Sequence, residues 1–205
     1  MSRVGDRIAA VVRAGLAPPL KAAGFRKAGH TFRRPFPLGV QVVNVQSSLW
    51  NSSDGGRFTV NLGVYLPAVA PLDGFPARPN PAHYHCQLSE RIGFLLPDLR
   101  DHWWELTADS DDAAIAAELG RAWEHAGPGW FAARDRPAGV LAAAGSPWVG
   151  CKLALALGDR TTAVALWREA RVGASGSFAA TAEAFAREHG LLSSAAIARP
   201  RANPS

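Results

Sequence analysis

Residues 40–50 read VQVVNVQSSLW and residues 57–66 read RFTVNLGVYL, joined by the polar turn Asn51-Ser52-Ser53-Asp54-Gly55-Gly56. In the second segment Phe58, Val60, Leu62, Val64 and Leu66 fall on one parity, and Thr59, Asn61, Gly63 and Tyr65 on the other. Successive side chains of a strand point to opposite faces, so this alternation predicts a half-buried strand with one apolar face. Together the two segments predict an antiparallel hairpin with Phe58, Val60, Leu62 and Val64 in the core. A slip of one residue would expose all four at once, and that penalty pins the register.

Upstream, residues 30–34 predict a first strand and Pro35-Phe36-Pro37-Leu38-Gly39 the turn into the hairpin. Before them Val4, Ile8, Val11, Val12 and Leu16 recur at helical spacing, which predicts an amphipathic N-terminal helix. Pro18-Pro19 must kink or restart it, because neither residue donates a backbone hydrogen bond, and Gly24 is suited to close it. Downstream, residues 67–85 carry five prolines and cannot join a sheet interior, which predicts a mobile surface loop. Residues 86–95 read as a strand, although Leu88, Ile92 and Leu95 also fit a helix face. Trp103-Trp104-Glu105-Leu106 predicts a short last strand, with one indole on each face. From Asp112 onward the pattern is helical, with Gly127-Pro128 as a break and Ser146, Asp159 and Ser177 as helix caps.

The predicted architecture is therefore α+β: an antiparallel sheet of four to five strands, packed with an N-terminal helix and a helical C-terminal cap. Residues 1–110 form the sheet domain, residues 111–192 a helical extension packed on it, and residues 193–205 a disordered tail.

The chain of 205 residues is long enough for one domain with a substantial core. Its net charge of +5 is uneven: residues 1–60 hold nine Lys/Arg against Asp6 and Asp54, a balance of +7. Two cysteines, Cys86 and Cys151, give neither a disulfide framework nor a paired-thiol metal motif, and predict a reducing compartment. No apolar run is long enough to span a bilayer, and Asp6, Arg7 and Arg13 interrupt any signal-peptide pattern. A cytoplasmic protein is expected.

Taken in order, Gly24-Phe25-Arg26-Lys27, Thr31-Phe32-Arg33, Val42-Val43-Asn44-Val45-Gln46 and Phe58-Thr59-Val60-Asn61-Leu62-Gly63-Val64 resemble a bacterial family catalogued as domain of unknown function 4304. Cys86-x-Leu88-x-x-Arg91-Ile92-Gly93 and Asp101-x-Trp103-Trp104 extend the resemblance, which covers roughly residues 1–130. It implies an α+β domain and no catalytic residues. Some relatives of this size are immunity or toxin-neighbour proteins, an association only.

Candidate chemistry is sparse. His83-Tyr84-His85-Cys86 places three metal-ligand types within four residues, and on an extended segment His83 and His85 would share a side. A full site needs three or four ligands, and a remote partner such as His102 or Asp101 is only conjecture from the sequence, so the expectation is a loop with no metal. Asn44 and Gln46 share a parity on one strand, as do Asn61 and Tyr65 on the next, so carboxamides line a polar sheet face. Amides offer donor and acceptor together and suit recognition, or they satisfy hydrogen bonds beneath a covering loop. Trp50, Trp103 and Trp104 are either interface anchors or core. No nucleophile elbow, phosphate-cradling glycine loop, zinc-protease pair or dinucleotide fingerprint occurs.

The leading expectation is a non-catalytic module that recognises another protein without a cofactor, through Asn44, Gln46, Asn61, Tyr65, Arg91, Trp103 and Trp104. A second is nucleic-acid binding through the basic N-terminal third, where Phe25, Phe32 and Phe36 interleave with the charges. A third is a small-ligand protein or enzyme that uses the polar sheet face.

Overall fold

The computed structural model describes residues 3–52 and 55–192. The expected disordered tail, 193–205, lies outside the described residues, as do Ser53 and Asp54 of the hairpin turn.

The chain opens with α1 (Arg3–Gly15) and restarts as α2 (Ala17–Ala22), with proline in its first turn, where a missing N–H costs nothing. Gly24 sits at φ 85°, a left-handed conformation free of strain only for glycine, and the N–H of Phe25 returns to Leu20 O at 2.9 Å. The strands are β1 (Arg26–Ala28), β2 (Thr31–Phe36), β3 (Gly39–Ser47), β4 (Gly56–Tyr65), β5 (Leu88–Arg91) and β6 (Trp104–Leu106). The first five lie in sequence order, all neighbours antiparallel, and β6 pairs with β4 beyond the end of β5. The sheet thus has six strands where four to five were expected. The hairpin register is as its parity requires, Val43 opposite Leu62 and Val45 opposite Val60.

One face carries Phe32, Val43, Val45, Phe58, Val60, Leu62, Val64, Trp104 and Leu106, all buried. It meets α1, whose Ile8 and Val12 line one hollow with Val45, and α3 (Asp112–Ala132). Asp111 caps α3 by accepting from the N–H groups of Ala113 and Ala114. Phe25 packs edge-on against Trp123 of α3 with ring centres 5.8 Å apart. The break expected at Gly127-Pro128 does not occur. The helix runs through it, because the lost hydrogen bond is outweighed by burial of Trp123, Trp130 and Phe131 on either side.

The other face corrects the half-buried reading of β4. Thr59, Asn61 and Tyr65 are as buried as their apolar neighbours: residues 66–87 cross this face over Gly63 and Tyr65, and Thr59 Oγ1 donates to His102 O at 2.9 Å in the segment before β6. Arg33 Nε donates to Pro81 O at 2.7 Å, and the Arg78 N–H donates to Tyr65 Oη at 2.8 Å. At Gly63 a Cβ would come within 2.6 Å of Cys86 Sγ, so only glycine admits the crossing segment this close. The expected strand over residues 86–95 is shorter, because the chain turns into a 3-10 helix at Ile92–Leu95.

Compact units span Met1–Val140 and Leu141–Ser205, so α3 belongs to the same unit as the sheet. In the second unit the caps at Ser146 and Asp159 form as read, accepting from Val149 N and Thr162 N. The last described helix, Gly176–Glu188, instead starts one residue before Ser177 and has no side-chain cap. No helix among the described residues is long and apolar enough to cross a membrane.

Candidate recognition site

Register builds the polar face. Thr31, Asn44, Asn61 and Arg91 stand directly opposite one another on β2, β3, β4 and β5, a single row across four strands. Cross-strand neighbours of this kind are close enough for side chains to bond. Asn44 Nδ2 donates to Thr31 Oγ1 at 3.1 Å, and Asn61 Nδ2 donates to Gln46 Oε1 at 2.9 Å. Asn61 Oδ1 accepts a long bond from Arg91 Nε at 3.5 Å. Arg91 Nη1 then donates to Asp101 Oδ2 at 2.6 Å, and Trp103 Nε1 donates to the same oxygen at 3.0 Å. The guanidiniums of Arg57 and Arg91 lie 5.1 and 5.2 Å from the Trp103 ring centre, within cation–π range.

Five residues therefore form one continuous chain, Gln46–Asn61–Arg91–Asp101–Trp103. Burial pushes the Asp101 carboxyl up, but the bonds from Arg91 and Trp103 outweigh it together and hold it below its ordinary range. Such a carboxylate stays ionised and is a weak proton acceptor.

Of the residues expected to touch a partner, Asn44, Gln46, Arg91 and Trp103 reach the surface in part. Asn61, Tyr65 and Trp104 are 6%, 1% and 2% exposed and do not. Tyr65 is spent on Arg78, and Trp104 points to the opposite, helix-covered face, stacked on Phe58 at 5.6 Å. Asp101 and Arg57 complete the cluster. Sequence reading missed both: the shared parity of Arg57 with Thr59 and Asn61 was a signal that could have found it, whereas Asp101 is placed by the turn before β6. That turn holds Leu99 at φ 46°, an uncommon conformation for leucine.

Beyond Arg57 the surface changes character. Leu49 and Trp50 are 98% and 88% exposed at the end of the hairpin, and Trp50 lines one shallow hollow with Arg57 and Glu105. Arg57 thus joins the two tryptophans, Trp50 and Trp103, along one edge.

The His83-Tyr84-His85 segment is a 3-10 turn and not extended, so His83 and His85 do not share a side. His85 Nδ1 accepts from Ala82 N at 2.9 Å. Among the described residues no group of three or more His, Cys, Asp or Glu is placed to hold a metal ion. Burial holds the His83 imidazole below its ordinary range, aided by the charges of Arg91 and His85. Burial pushes the Cys86 thiol up to about 12, although Arg33 pulls the other way. The thiolate being the nucleophile, Cys86 is expected to resist a thiol-reactive disulfide reagent at pH 8 in native protein and to react only after denaturation. Rapid native labelling, mapped to Cys86 by mass spectrometry, would contradict this.

No curated protein and no solved structure matches the chain. A family profile described as Domain of unknown function (DUF4304) matches residues 16–133, from the end of α1 through the whole sheet to the end of α3. The match spans more than half of the chain and contains every strand and every residue of the polar row, so the chain belongs to the DUF4304 family.

Proposed function

We propose that the protein is a non-catalytic module that binds another protein along the edge formed by Trp50, Arg57, Trp103 and Arg91. One observation carries the reading: Leu49 and Trp50, two large apolar side chains in succession, stand almost wholly in water beside an arginine-flanked tryptophan. Trp and Arg dominate the energetics of protein interfaces, where a rigid ring fills a partner's pocket and a guanidinium bonds at its rim. The cluster's chemistry supports recognition over turnover. Amides are poor acid–base groups, Asp101 is held ionised by its two donors, and the Cys86 thiol is kept protonated. The finer reading, an immunity-like or regulatory factor in a reducing cytoplasm, rests on the family association and on the two free cysteines.

Native pull-down with mass spectrometry identifies the partner. Trp50→Ala is then expected to weaken its binding by about 2 kcal/mol or more and to leave the melting temperature unchanged. Arg91→Ala should act in the same direction. A partner bound equally by wild type and both variants would remove the site, and turnover abolished by one side-chain change would remove the non-enzyme reading.

A second reading, nucleic-acid binding, is favoured by Lys21, Arg26 and Lys27, which are exposed around a hollow floored by Phe25 and Phe32. An affinity that falls steeply with salt would select it.

A further inference from the structure

Residues 7–53 contain no Asp or Glu, and of their seven Lys and Arg only Arg7 is ion-paired among the described residues, with Asp112 at 2.6 Å. The fold gathers four of the other six at one corner of the sheet. Lys21 of α2 and Arg26 and Lys27 of β1 stand around a single hollow of about 340 Å³, and all three are exposed. Arg33 adjoins them. The turn at Gly29, φ 61°, folds β1 back along β2 and sets Arg26 directly opposite Arg33.

Like charges directly opposite on neighbouring strands are destabilising. No carboxylate within 4.0 Å offsets this pair among the described residues, and Arg33 spends only its Nε, on Pro81 O at 2.7 Å. A facing pair of uncompensated arginines, beside two exposed lysines, is an arrangement the fold keeps at a cost.

What the corner lacks narrows the kind of partner. Of the large apolar side chains exposed among the described residues, none lies between residues 17 and 34. Phe25 and Phe32, beneath the cations, are 4% and 2% exposed and belong to the core. A protein interface is built on an apolar core with aromatic anchors, and binding in a bilayer surface buries an apolar face. Single-stranded nucleic acid stacks its bases on open rings. A duplex needs none of these, because each phosphate neutralised by Lys or Arg releases condensed counterions.

We propose that this corner binds the phosphate backbone of a nucleic-acid duplex through Lys21, Arg26, Lys27 and Arg33. Phosphate contacts carry no base information, so the binding is independent of sequence. The assignment rests on the nucleic-acid reading above and narrows it to one surface and one form of nucleic acid.

The experiment is fluorescence anisotropy of the full chain with labelled short duplexes of DNA and of RNA, in unrelated sequences, and with the separate strands. Phosphate contacts from these four side chains predict that log K falls with log salt at a slope of about −3.6. Unrelated sequences should bind alike, and single strands more weakly than duplexes. Arg26→Glu with Lys27→Glu should weaken duplex binding about tenfold or more and make the slope shallower by about 2. Arg26→Glu also turns the repulsion with Arg33 into an attraction, so the melting temperature should hold or rise and lost binding is not lost fold. Arg121→Glu with Arg187→Glu removes the same charge from exposed positions elsewhere and should change affinity by less than about threefold.

Tighter binding of single strands, or equal losses in the two double variants, would leave nucleic-acid binding in place and overturn this surface. Binding of no nucleic acid at low salt would remove the assignment and the nucleic-acid reading together. Equal affinity for polyglutamate, or for vesicles rich in phosphatidylserine, would give the corner to an acidic protein or to a membrane and overturn the duplex.

Discussion

Trp104→Ala is expected to destabilise the protein by about 3–5 kcal/mol, and Trp103→Ala by much less, although the two residues are neighbours in one short segment. Trp104 is 2% exposed, stacked on Phe58 and set edge-on to His102 at 4.6 Å. Its Nε1 has no hydrogen-bond partner among the described residues, so truncation loses transfer free energy and leaves a large cavity but breaks no polar contact seen there. Trp103 lies on the other face, half-buried, and its loss frees Asp101 and two guanidiniums that water can re-solvate. Urea unfolding of both variants at unchanged m-value decides the matter. Equal losses would mean that the two faces are not covered as described. The sequence pattern had placed Trp104 among the contact residues; its position beneath the helices makes it core.

Leu62→Ala should cost about 2–5 kcal/mol. Leu62 is fully buried at the centre of β4, the strand that pairs with β3 on one edge and with β5 and β6 on the other. Its cross-strand neighbours are Val43 and Glu90, and neither backbone can move inward to fill the space without breaking a ladder on the opposite side. The cost should therefore fall in the upper half of the range. A loss below about 1 kcal/mol would show that the sheet collapses around the site.

What could be read from the residues was what period alone determines. The alternation through Phe58 and Leu62 gave the hairpin and its register, and Ser146 and Asp159 gave caps that form as read. β1 was not legible, because Arg26-Lys27-Ala28 is too short and too exposed to alternate. The covered second face was not legible either. Thr59, Asn61 and Tyr65 look like a solvent face until residues 66–87 and the segment before β6 are known to cover them, and those paths depend on contacts such as Arg33 to Pro81 and Thr59 to His102, 48 and 43 residues apart. The same gap explains the mixed outcome at the site. Parity grouped Asn44, Gln46, Asn61 and Tyr65 on one face correctly, but which of them water can reach was decided by distant segments.

A strand sealed on both faces has few positions at which sequence can drift. Between Phe58 and Tyr65 every side chain of β4 is enclosed, so divergence within this family would be channelled to the exposed segments flanking it, the hairpin end around Leu49 and Trp50 and the connection from Phe94 to Arg100. Both flank the edge that carries Arg57 and Arg91. The fold thereby separates an inheritable frame from two adjustable loops, and substitutions can accumulate there without a toll on the core.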